Sequence, residues 1–226
     1  MQKGIDSYEQ RPYTTYVVPV AVVDYGRGNL FSISRALEHL GAQARVTSDP
    51  AELASAERLI LPGVGAFGDG MEGLRSRGLV EPLRAYAKTG RPMLGICLGM
   101  QLMLDESAEF GRHEGLGIVP GRVRRFPDSP ERLWKVPHVG WSALHAGGAD
   151  WRGTSLDGVK EGERMYFVHS YFVETAKPEH RLAVTPYAGL EFCSVLRAGS
   201  VEGCQFHPEK SGESGLCLLR TWLKKN

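Results

Sequence analysis

A cysteine flanked by glycines is the first feature of the sequence that suggests chemistry. The segment Gly95-Ile96-Cys97-Leu98-Gly99 joins an apolar run typical of a strand to a run typical of a helix. It is the thiol counterpart of the G-x-S-x-G elbow, in which a tight turn holds a nucleophile in a strained conformation. A sulfur beside a helix N-terminus ionises more easily than an isolated thiol, so Cys97 is a candidate nucleophile. The alternative is a buried cysteine in an ordinary glycine-rich turn.

A histidine and a carboxylate with suitable spacing stand near the end of the chain. Phe206-His207-Pro208-Glu209 follows a β-like run, and Pro208 favours an extended backbone at His207. Glu209 can turn back and orient the imidazole, although a solvated Glu in a strand-to-loop turn would show the same pattern. A thiol, a base and a group that orients the base form the generalised catalytic triad. Cys97, His207 and Glu209 are therefore the predicted catalytic residues.

A third segment, Leu61-Pro62-Gly63-Val64-Gly65-Ala66-Phe67, ends another predicted strand with two glycines around Val64. Backbone N–H groups in such a turn can approach a reacting carbonyl, as an oxyanion hole requires, but an ordinary turn can have the same composition. Four histidines outside these motifs lie among polar or loop residues, and no grouping has the spacing of metal ligands. We therefore expect neither a metal nor a cofactor. The four are His39, His113, His145 and His180.

The elements that must position these segments alternate along the first half of the chain. Apolar, β-branched runs predict strands, and apolar residues at helical spacing predict helices between them. This alternation is typical of a parallel sheet with helices on both faces. The predicted strands are Val17–Val23, Ala44–Thr47, Arg58–Leu61 and Met93–Ile96, and the predicted helices are Leu30–Leu40 with Asn29 as N-cap and Gly41 as stop, Leu79–Ala87 and Leu98–Leu104.

Beyond Glu109 the pattern changes to short β-like pieces, some of them antiparallel, followed by a last helix. The predicted fold class is α/β, with a mostly parallel central sheet flanked by helices and an additional small antiparallel β portion. Residues 1–15 are polar and aperiodic and are expected to form an N-terminal extension, which leaves residues 16–226 as one domain. The β-like pieces are Val119, Val123–Phe126, Leu133–Val136, Met165–Val168, Leu182–Thr185, Glu191–Leu196 and Val201–Gln205, and the last helix carries Leu216, Leu219 and Leu223.

Composition narrows the class of function. The 226 residues carry 27 Lys and Arg against 26 Asp and Glu, and a net charge of +1 argues against a nucleic-acid footprint or a polybasic membrane surface. The longest uncharged runs are shorter than the roughly 18 residues that a membrane helix needs. The 4 cysteines form no C-x-x-C pair. We expect a cytoplasmic protein without nucleic-acid or membrane partners, in which Cys193, Cys204 and Cys217 are small buried apolar residues.

Together the motifs resemble those of the class I glutamine amidotransferases, whose triad runs in the order Cys, His, Glu. The sequence is more similar still to the glutaminase subunits of imidazole glycerol phosphate synthase, because other amidotransferases share the elbow and the triad but not the segment 137–141. The resemblance extends from about residue 17 to the end of the chain. It rests on Asp24-Tyr25-Gly26 with Gly28-Asn29-Leu30, Pro62–Phe67, Gly95–Gln101, Pro137–Trp141, Phe167–Tyr171 and Gln205–Ser211.

This resemblance implies a route for glutamine hydrolysis. Cys97 would attack the side-chain amide, and His207, oriented by Glu209, would act first as base and then as acid to the departing ammonia. The amide of Leu98 and the Gly63-Val64 region would supply oxyanion donors, the second after a peptide rearrangement. A carboxylate suits the α-amino group of an amino acid through a charge-assisted hydrogen bond. The positions that match glutamine contacts are Gly65, Gln101, Glu109, His169, Ser170 and Tyr171.

The resemblance also implies a partner. In the family, ammonia passes to the (β/α)8-barrel synthase subunit of a heterodimer, which makes imidazole glycerol phosphate and an aminoimidazole carboxamide ribotide in histidine biosynthesis. Asn29, Pro137, His138 and Trp141 match the face turned toward that barrel, although core packing is an equal interpretation of Trp141. The chain without its partner is then expected to hydrolyse glutamine slowly.

The sequence departs from the family pattern in three places. Val139 and Ser142 stand where Met and Asn are expected, and the N-terminal extension is longer than usual. The surroundings of Cys193 and Cys204 resemble subunits that supply ammonia to a sugar amidotransferase of surface-polysaccharide synthesis, so that acceptor is an alternative. A catalytically silent regulatory subunit and a cysteine hydrolase of peptides or esters are further alternatives. Inactivity of a Cys97→Ala variant would exclude the first, and selective trapping of Cys97 by a glutamine-like electrophile would exclude the second.

Overall fold

The computed structural model describes residues 18–129, 131 and 133–225, so the predicted extension and Val17 lie outside the described residues. Strands and helices alternate in the first half: β1 (Pro19–Val23), α1 (Leu30–His39), β2 (Gln43–Thr47), α2 (Pro50–Ser55), β3 (Leu59–Gly63), α3 (Phe67–Ser76), α4 (Val80–Ala87), β4 (Met93–Cys97) and α5 (Leu98–Leu102). The second half holds β5 (Glu106–Ser107), β6 (His113–Glu114), β7 (Gly121–Arg125), β8 (His138–Ala143), β9 (Arg164–His169), β10 (Tyr171–Thr175), β11 (Arg181–Tyr187), β12 (Leu190–Ala198), β13 (Val201–Cys204) and α6 (Gly212–Leu223).

One large sheet and one small sheet organise these elements. Within the described residues the large sheet has eleven strands in the order β2-β1-β3-β4-β13-β12-β10-β7-β5-β6, with β11 paired to β12. The strands from β2 to β13 in that order are parallel, and β12, β10 and β7 continue the sheet in antiparallel pairs. A separate antiparallel pair joins β8 to β9. The predicted fold class is confirmed.

The register of the parallel strands brings the three sequence segments together. Gly63, the last residue of β3, lies opposite Cys97, the last residue of β4. Cys204 at the end of β13 lies opposite Ile96 on the other side of β4. Because the carboxyl ends of parallel strands share one edge of the sheet, the glycine-rich loop, the elbow and the segment that contains His207 all emerge there.

Apolar cores on both faces of the sheet explain why its central strands are apolar throughout. Along β1, Val20 and Val22 enter one core, while Ala21 and Val23 enter the other. Helices α1 and α6 cover the first face, and α2 to α5 cover the second. No helix in the part of the chain that the structure describes is long and apolar enough to cross a membrane.

The start and end of α1 agree with the sequence prediction. The side-chain oxygen of Asn29 accepts a hydrogen bond from the Ser32 N–H at 3.2 Å, as an N-cap does. After the helix, Gly41 has a φ of 79°, a left-handed conformation that favours glycine.

Two predicted strand pieces are wrong. At Leu133–Val136 the N–H groups of Leu133 and Trp134 donate to the Ser129 hydroxyl at 2.7 and 3.4 Å, so the segment forms a local turn instead of pairing with another strand. Val119 lies in a bend, where its N–H donates to the carbonyl of Met103.

Six elements of the structure were not predicted: α2, α3, β5, β6, β8 and β10. Glycines interrupt the apolar pattern of α3, and the packing explains why they are there. A Cβ on Gly73 would lie 2.4 Å from the carbonyl oxygen of Tyr25, and one on Gly70 would press on Leu98 and Leu102 at 3.2 Å. The helix therefore lies closer to its neighbours than side chains would permit.

Candidate active site

The elbow holds Cys97 in a strained backbone conformation. Its φ is 54° and its ψ is −110°, at the point where β4 becomes α5. The flanking glycines are sterically required: a Cβ on Gly99 would lie 1.7 Å from the carbonyl oxygen of Leu61, and one on Gly95 would lie 2.8 Å from the backbone of Met100. The sulfur thus stands at the carboxyl edge of the sheet and at the N-terminus of a helix.

His207 and Glu209 form a buried pair beside the elbow. The Nδ1 atom of His207 lies 2.9 Å from Oε1 of Glu209, and both side chains are 3% exposed. The backbone of His207 is extended, with φ −100° and ψ 96°, as the following proline predicts. A hydrogen bond from the His207 N–H to the carbonyl of Tyr166 also ties this residue to β9.

Because Nδ1 of His207 pairs with Glu209, the other ring nitrogen, Nε2, is the one that can interact with the sulfur of Cys97. Burial favours the neutral ring, but pairing with Cys97 and with Glu209 outweighs burial and raises the pKa of His207 to about 10. Among the described residues, Nε2 of His207 is buried without a hydrogen bond of normal geometry. Nε2 is thus the ring nitrogen that can exchange a proton with the Cys97 sulfur.

Two sources of backbone N–H groups lie next to Cys97. Leu98 begins α5, so its N–H has no partner within the helix. Gly63 lies opposite Cys97 in the sheet, and a Cβ there would meet the Tyr25 hydroxyl at 2.2 Å. Beyond it Val64 is 39% exposed and Gly65 adopts a φ of 105°. The structure thus places all the predicted oxyanion residues, Gly63, Val64 and Leu98, around the elbow.

A cleft of about 290 Å³ opens from the sulfur. All six residues that were matched to glutamine contacts line it, together with Cys97 and His207. Its size suits a small metabolite and not a folded peptide segment. The complete lining is Val64, Gly65, Cys97, Leu98, Gln101, Glu109, Pro137, Val168, His169, Ser170, Tyr171 and His207.

Glu109 supplies a negative charge to the wall of this cleft. One carboxylate oxygen accepts a hydrogen bond from the Phe67 N–H at 2.6 Å, at the start of α3. Burial raises the pKa of Glu109, and the hydrogen bond from Phe67 opposes that rise. The N-terminus of α3 thus places a backbone donor beside a buried carboxylate, and a carboxylate in its ionised form binds an ammonium group.

Two histidines, His169 in the wall of the cleft and its neighbour His138, have fixed tautomers. Nδ1 of His169 lies 2.8 Å from the Tyr171 carbonyl, so it must donate, and Nε2 of His169 must accept from Nδ1 of His138 at 3.0 Å. Nε2 of His138 then accepts from the Ser142 hydroxyl at 2.9 Å. Burial lowers the pKa of His138 to about 4 and that of His169 to about 3. Both rings are neutral at physiological pH.

The position of His138 corrects one expectation. It was matched to the partner face, but it is only 3% exposed, because its ring stacks between Phe167 and Tyr187. The face itself is formed by its exposed neighbours: Pro137 is exposed, and Trp141 is 49% exposed, which excludes simple core packing for that side chain. Asn29 is partly exposed and caps α1.

The four remaining histidines lie among polar or loop residues and are expected to be solvated, and three of them are less exposed than that expectation. His39 is exposed, but His113, His145 and His180 are partly buried. Cys193 and Cys204 are buried as expected, whereas Cys217 is only partly buried because α6 turns Leu218 and Trp222 to the core instead. No group of three or more potential metal-ligating side chains occurs within residues 18–129, 131 and 133–225.

The sequence did not single out Gln205 as a functional side chain. It is fully buried beside the elbow and contacts both Cys97 and Gln101. Gln205 belongs to the segment 205–211 that carries the family resemblance, but only the register of β13 against β4 shows where its amide points.

The family model described as glutamine amidotransferase class-I matches residues 21–225. The chain therefore belongs to the class-I glutamine amidotransferases. Its structure has the nucleophile elbow, the buried His207–Glu209 pair and the cleft described above. Solved structures with the same fold include "Crystal structure of glutamine amidotransferase" (TM-score 0.69, 20% identity, 91% of this chain and 97% of that chain). A second is "Structure of PurLQS from Thermotoga maritima" (TM-score 0.69, 21% identity, with the same coverage).

Two relatives with a much higher sequence identity are both named as subunits of imidazole glycerol phosphate synthase. "Imidazole glycerol phosphate synthase subunit HisH 1" of Legionella pneumophila (strain Lens) is 46% identical over 209 residues, which cover 91% of this chain and 98% of the relative. "Imidazole glycerol phosphate synthase subunit HisH" of Syntrophotalea carbinolica is 46% identical over 206 residues, with 90% and 98% coverage.

Proposed function

We propose that this chain is the glutaminase subunit of an imidazole glycerol phosphate synthase. It hydrolyses glutamine to glutamate and ammonia, and a synthase partner uses the ammonia in histidine biosynthesis. The observation that carries the proposal is the convergence of Cys97, His207 and Glu209 on one cleft in a chain with such relatives along almost its whole length. A cytoplasmic location stays a prediction.

The reaction follows from the positions of the side chains. The Cys97 sulfur attacks the side-chain amide carbon of glutamine, and His207 delivers a proton to the nitrogen, so that ammonia leaves and a γ-glutamyl thioester forms. Water then attacks the thioester while His207 accepts its proton. The thioester bond breaks, glutamate leaves and the thiol is restored.

The surroundings of the triad supply charge and orientation. The Leu98 N–H and the Gly63-Val64 region stabilise the negative oxygen of each tetrahedral intermediate. Glu109 binds the α-ammonium group of glutamine, and Gln101, His169, Ser170, Tyr171 and Gly65 complete the substrate contacts. Glu209 holds the His207 ring in the tautomer that the sulfur needs.

An apolar face beside the cleft supports a protein partner. Val139 and Val168 lie opposite each other in the β8–β9 pair and are 56% and 38% exposed. The Trp141 ring packs against Tyr166 on the same two strands, at 5.9 Å between ring centres. An exposed apolar patch next to a site that releases ammonia fits docking of the (β/α)8-barrel synthase subunit in a heterodimer.

The alternatives have less support. The relatives carry names of imidazole glycerol phosphate synthase subunits and do not favour an acceptor in polysaccharide synthesis. A silent regulatory subunit would not need the strained elbow or the buried His207–Glu209 pair. A peptide hydrolase would need a longer groove than this cleft offers.

The decisive experiment measures glutamate release from glutamine by the chain alone, with the histidine-pathway barrel subunit, and with that subunit plus its ribulosyl nucleotide. We expect slow release alone and strong stimulation by the liganded partner, because the oxyanion donors must first be positioned. A full rate without the partner, or no response to it, would contradict the proposal.

The variant Cys97→Ser separates the two halves of the reaction. It is expected to abolish glutamine-dependent synthesis while the complex still makes product from added ammonium salt, since the partner needs only ammonia. Cys217→Ser, the same change at a partly buried cysteine on α6, serves as the control and keeps both activities. Parallel loss of both activities in Cys97→Ser would disprove this division of labour.

A further inference from the structure

Gln205 stands beside the nucleophile without a role in the reaction described above. It directly follows β13, it is fully buried, and its Nε2 lies 3.7 Å from the sulfur of Cys97. That distance is too long for an oxygen acceptor but is within hydrogen-bond range for the larger sulfur atom. A buried amide normally satisfies its donors, and this donor has the sulfur as its neighbour.

The backbone carbonyl of Tyr171 fixes the orientation of the Gln205 amide through the side chain of Gln101, which lies between them. The carbonyl of Tyr171 can only accept, so the Gln101 atom 3.0 Å from it must be the amide nitrogen Nε2. That same nitrogen lies 3.0 Å from the Gln205 amide and must donate there as well. Gln205 therefore turns its oxygen to Gln101 and its NH₂ group to Cys97, because the reverse orientation would place two donors face to face.

We propose that Gln205 donates a hydrogen bond to the Cys97 sulfur and stabilises it as a thiolate, in addition to the pairing with His207. Its importance for catalysis rests on the proposed glutaminase function, but the donation itself does not. A neutral amide is suited to this task because it stabilises the anion without competing for the proton that His207 must move. Through Gln101, which lines the cleft, the same amide links the substrate site to the nucleophile.

Few other groups near the sulfur can titrate. His207 faces it, with Glu209 behind the ring. The Tyr25 hydroxyl and the Cys204 thiol also act on Cys97, but burial raises the pKa of both, so both stay neutral at physiological pH. A change at Gln205 can therefore be separated from the titration of its neighbours.

The test compares Gln205→Met with Gln101→Met in the complete chain, without partner or glutamine. The rate at which iodoacetamide alkylates Cys97 is followed by peptide mass spectrometry from acid to alkaline pH. Gln205→Met removes the donor and is expected to move the midpoint of the rate profile up by about one pH unit, with about tenfold slower alkylation at neutral pH. Gln101→Met breaks the same network but leaves the donor in place, so its midpoint is expected to stay near that of the wild type.

Two outcomes would overturn the proposal: an unchanged midpoint in Gln205→Met, or an equal shift in Gln101→Met, which would indicate general loosening of the site. Should Gln205→Met fail to fold, Gln205→Asn keeps a buried amide but withdraws it from the sulfur, and the same upward shift is expected. In the complex, Gln205→Met is expected to lower kcat with little change in KM for glutamine, whereas Gln101→Met raises KM. A chain that proves inactive on glutamine would refute the proposed function but leave the alkylation result to decide this inference.

Discussion

Glu209 decides how His207 can act. Because its carboxylate accepts from Nδ1, the ring can present only Nε2 to the sulfur of Cys97. The negative charge of Glu209 also favours the protonated ring, against the opposing effect of burial. This one carboxylate thus sets both the tautomer and the proton affinity of the base.

At this scale we predict that Glu209→Gln lowers kcat for glutamine hydrolysis at least about 100-fold, since the protonated ring loses its counter-charge. Removal of the charge lowers the proton affinity of His207, so the alkaline limb of the kcat/KM profile is expected to move to lower pH. The measurement is the pH profile of glutamate release by the complex. Glu213→Gln, the same change at an exposed residue of α6, is the control. An alkaline limb that stays in place would contradict this assignment.

The sequence was most informative about residues whose function depends on their immediate neighbours in the chain. Gly95 and Gly99 identify the elbow because the constraint is local, and Glu209 lies within two residues of His207. The side chain of Gln205 gave no such signal. Its contact with Cys97 depends on the pairing of β13 with β4, which joins residues more than one hundred positions apart.

The β8–β9 pair is fastened to the wall of the cleft by neutral histidines. Ser142 and His138 on β8 bond in sequence to His169 on β9, which bonds to the Tyr171 carbonyl at the start of β10. The chain of bonds requires both rings to remain unprotonated on the nitrogens that accept. Protonation of either ring would remove one acceptor from the chain.

At the element scale we therefore predict acid sensitivity. The pKa values of His138 and His169 are about 4 and about 3 in the folded protein, below the ordinary value of about 6.5 expected when unfolded. Below pH about 6.5 these two histidines bind protons in the unfolded chain but not in the folded chain. The free energy of unfolding therefore falls as the pH falls, by up to about 1.4 kcal/mol per pH unit for each histidine.

Urea unfolding at about pH 6 and about pH 5 measures this loss. His138→Gln is expected to reduce the drop in the free energy of unfolding between the two pH values by about 1 kcal/mol. His39→Gln, on the exposed side of α1, is expected to leave the drop unchanged. Equal behaviour of the two variants would show that the buried histidines do not cause the acid sensitivity.

Element prediction from sequence succeeded where apolar residues repeat without interruption and failed where packing requires small residues. The strands β1 and β4 are continuous apolar runs, whereas the glycines of α3 conceal its periodicity. In the strand β8 only His138 is buried, and the other five positions are exposed or partly buried, so its six residues show no clear apolar pattern. The resemblance alone placed His138 at the partner face, and its burial depends on packing against Phe167 and Tyr187.

In the whole molecule, the edge of the sheet that carries the triad adjoins an exposed apolar face. The cleft lining includes Pro137 and Val168, and Val139 and Trp141 continue outward from them. The entrance to the site and the proposed partner surface therefore share residues. Docking would place the partner directly over the point at which ammonia forms.

At this scale we predict that Val139→Asp weakens binding of the proposed barrel subunit at least about tenfold, because a carboxylate would be buried without a partner. Titration calorimetry with the purified subunit measures the affinity, and stimulation of glutamate release is expected to fall with it. Val46→Asp, at an exposed position on the edge strand β2, is the matched control and should bind normally. Unchanged affinity in Val139→Asp would remove this face from the interface.

The close contact of Gly99 with the carbonyl of Leu61, where a Cβ would lie 1.7 Å away, has a consequence for how such an enzyme can diversify. The turn that carries the nucleophile and the strand that leads to the oxyanion segment are in backbone contact, so we expect any side chain at Gly99 to displace one of them. The cleft wall His169–Tyr171 comes from other strands, so we expect its side chains to tolerate change better. We therefore expect selection, natural or in the laboratory, to change which amide is cleaved through substitutions along this wall. The cleavage chemistry at the elbow is expected to stay the same.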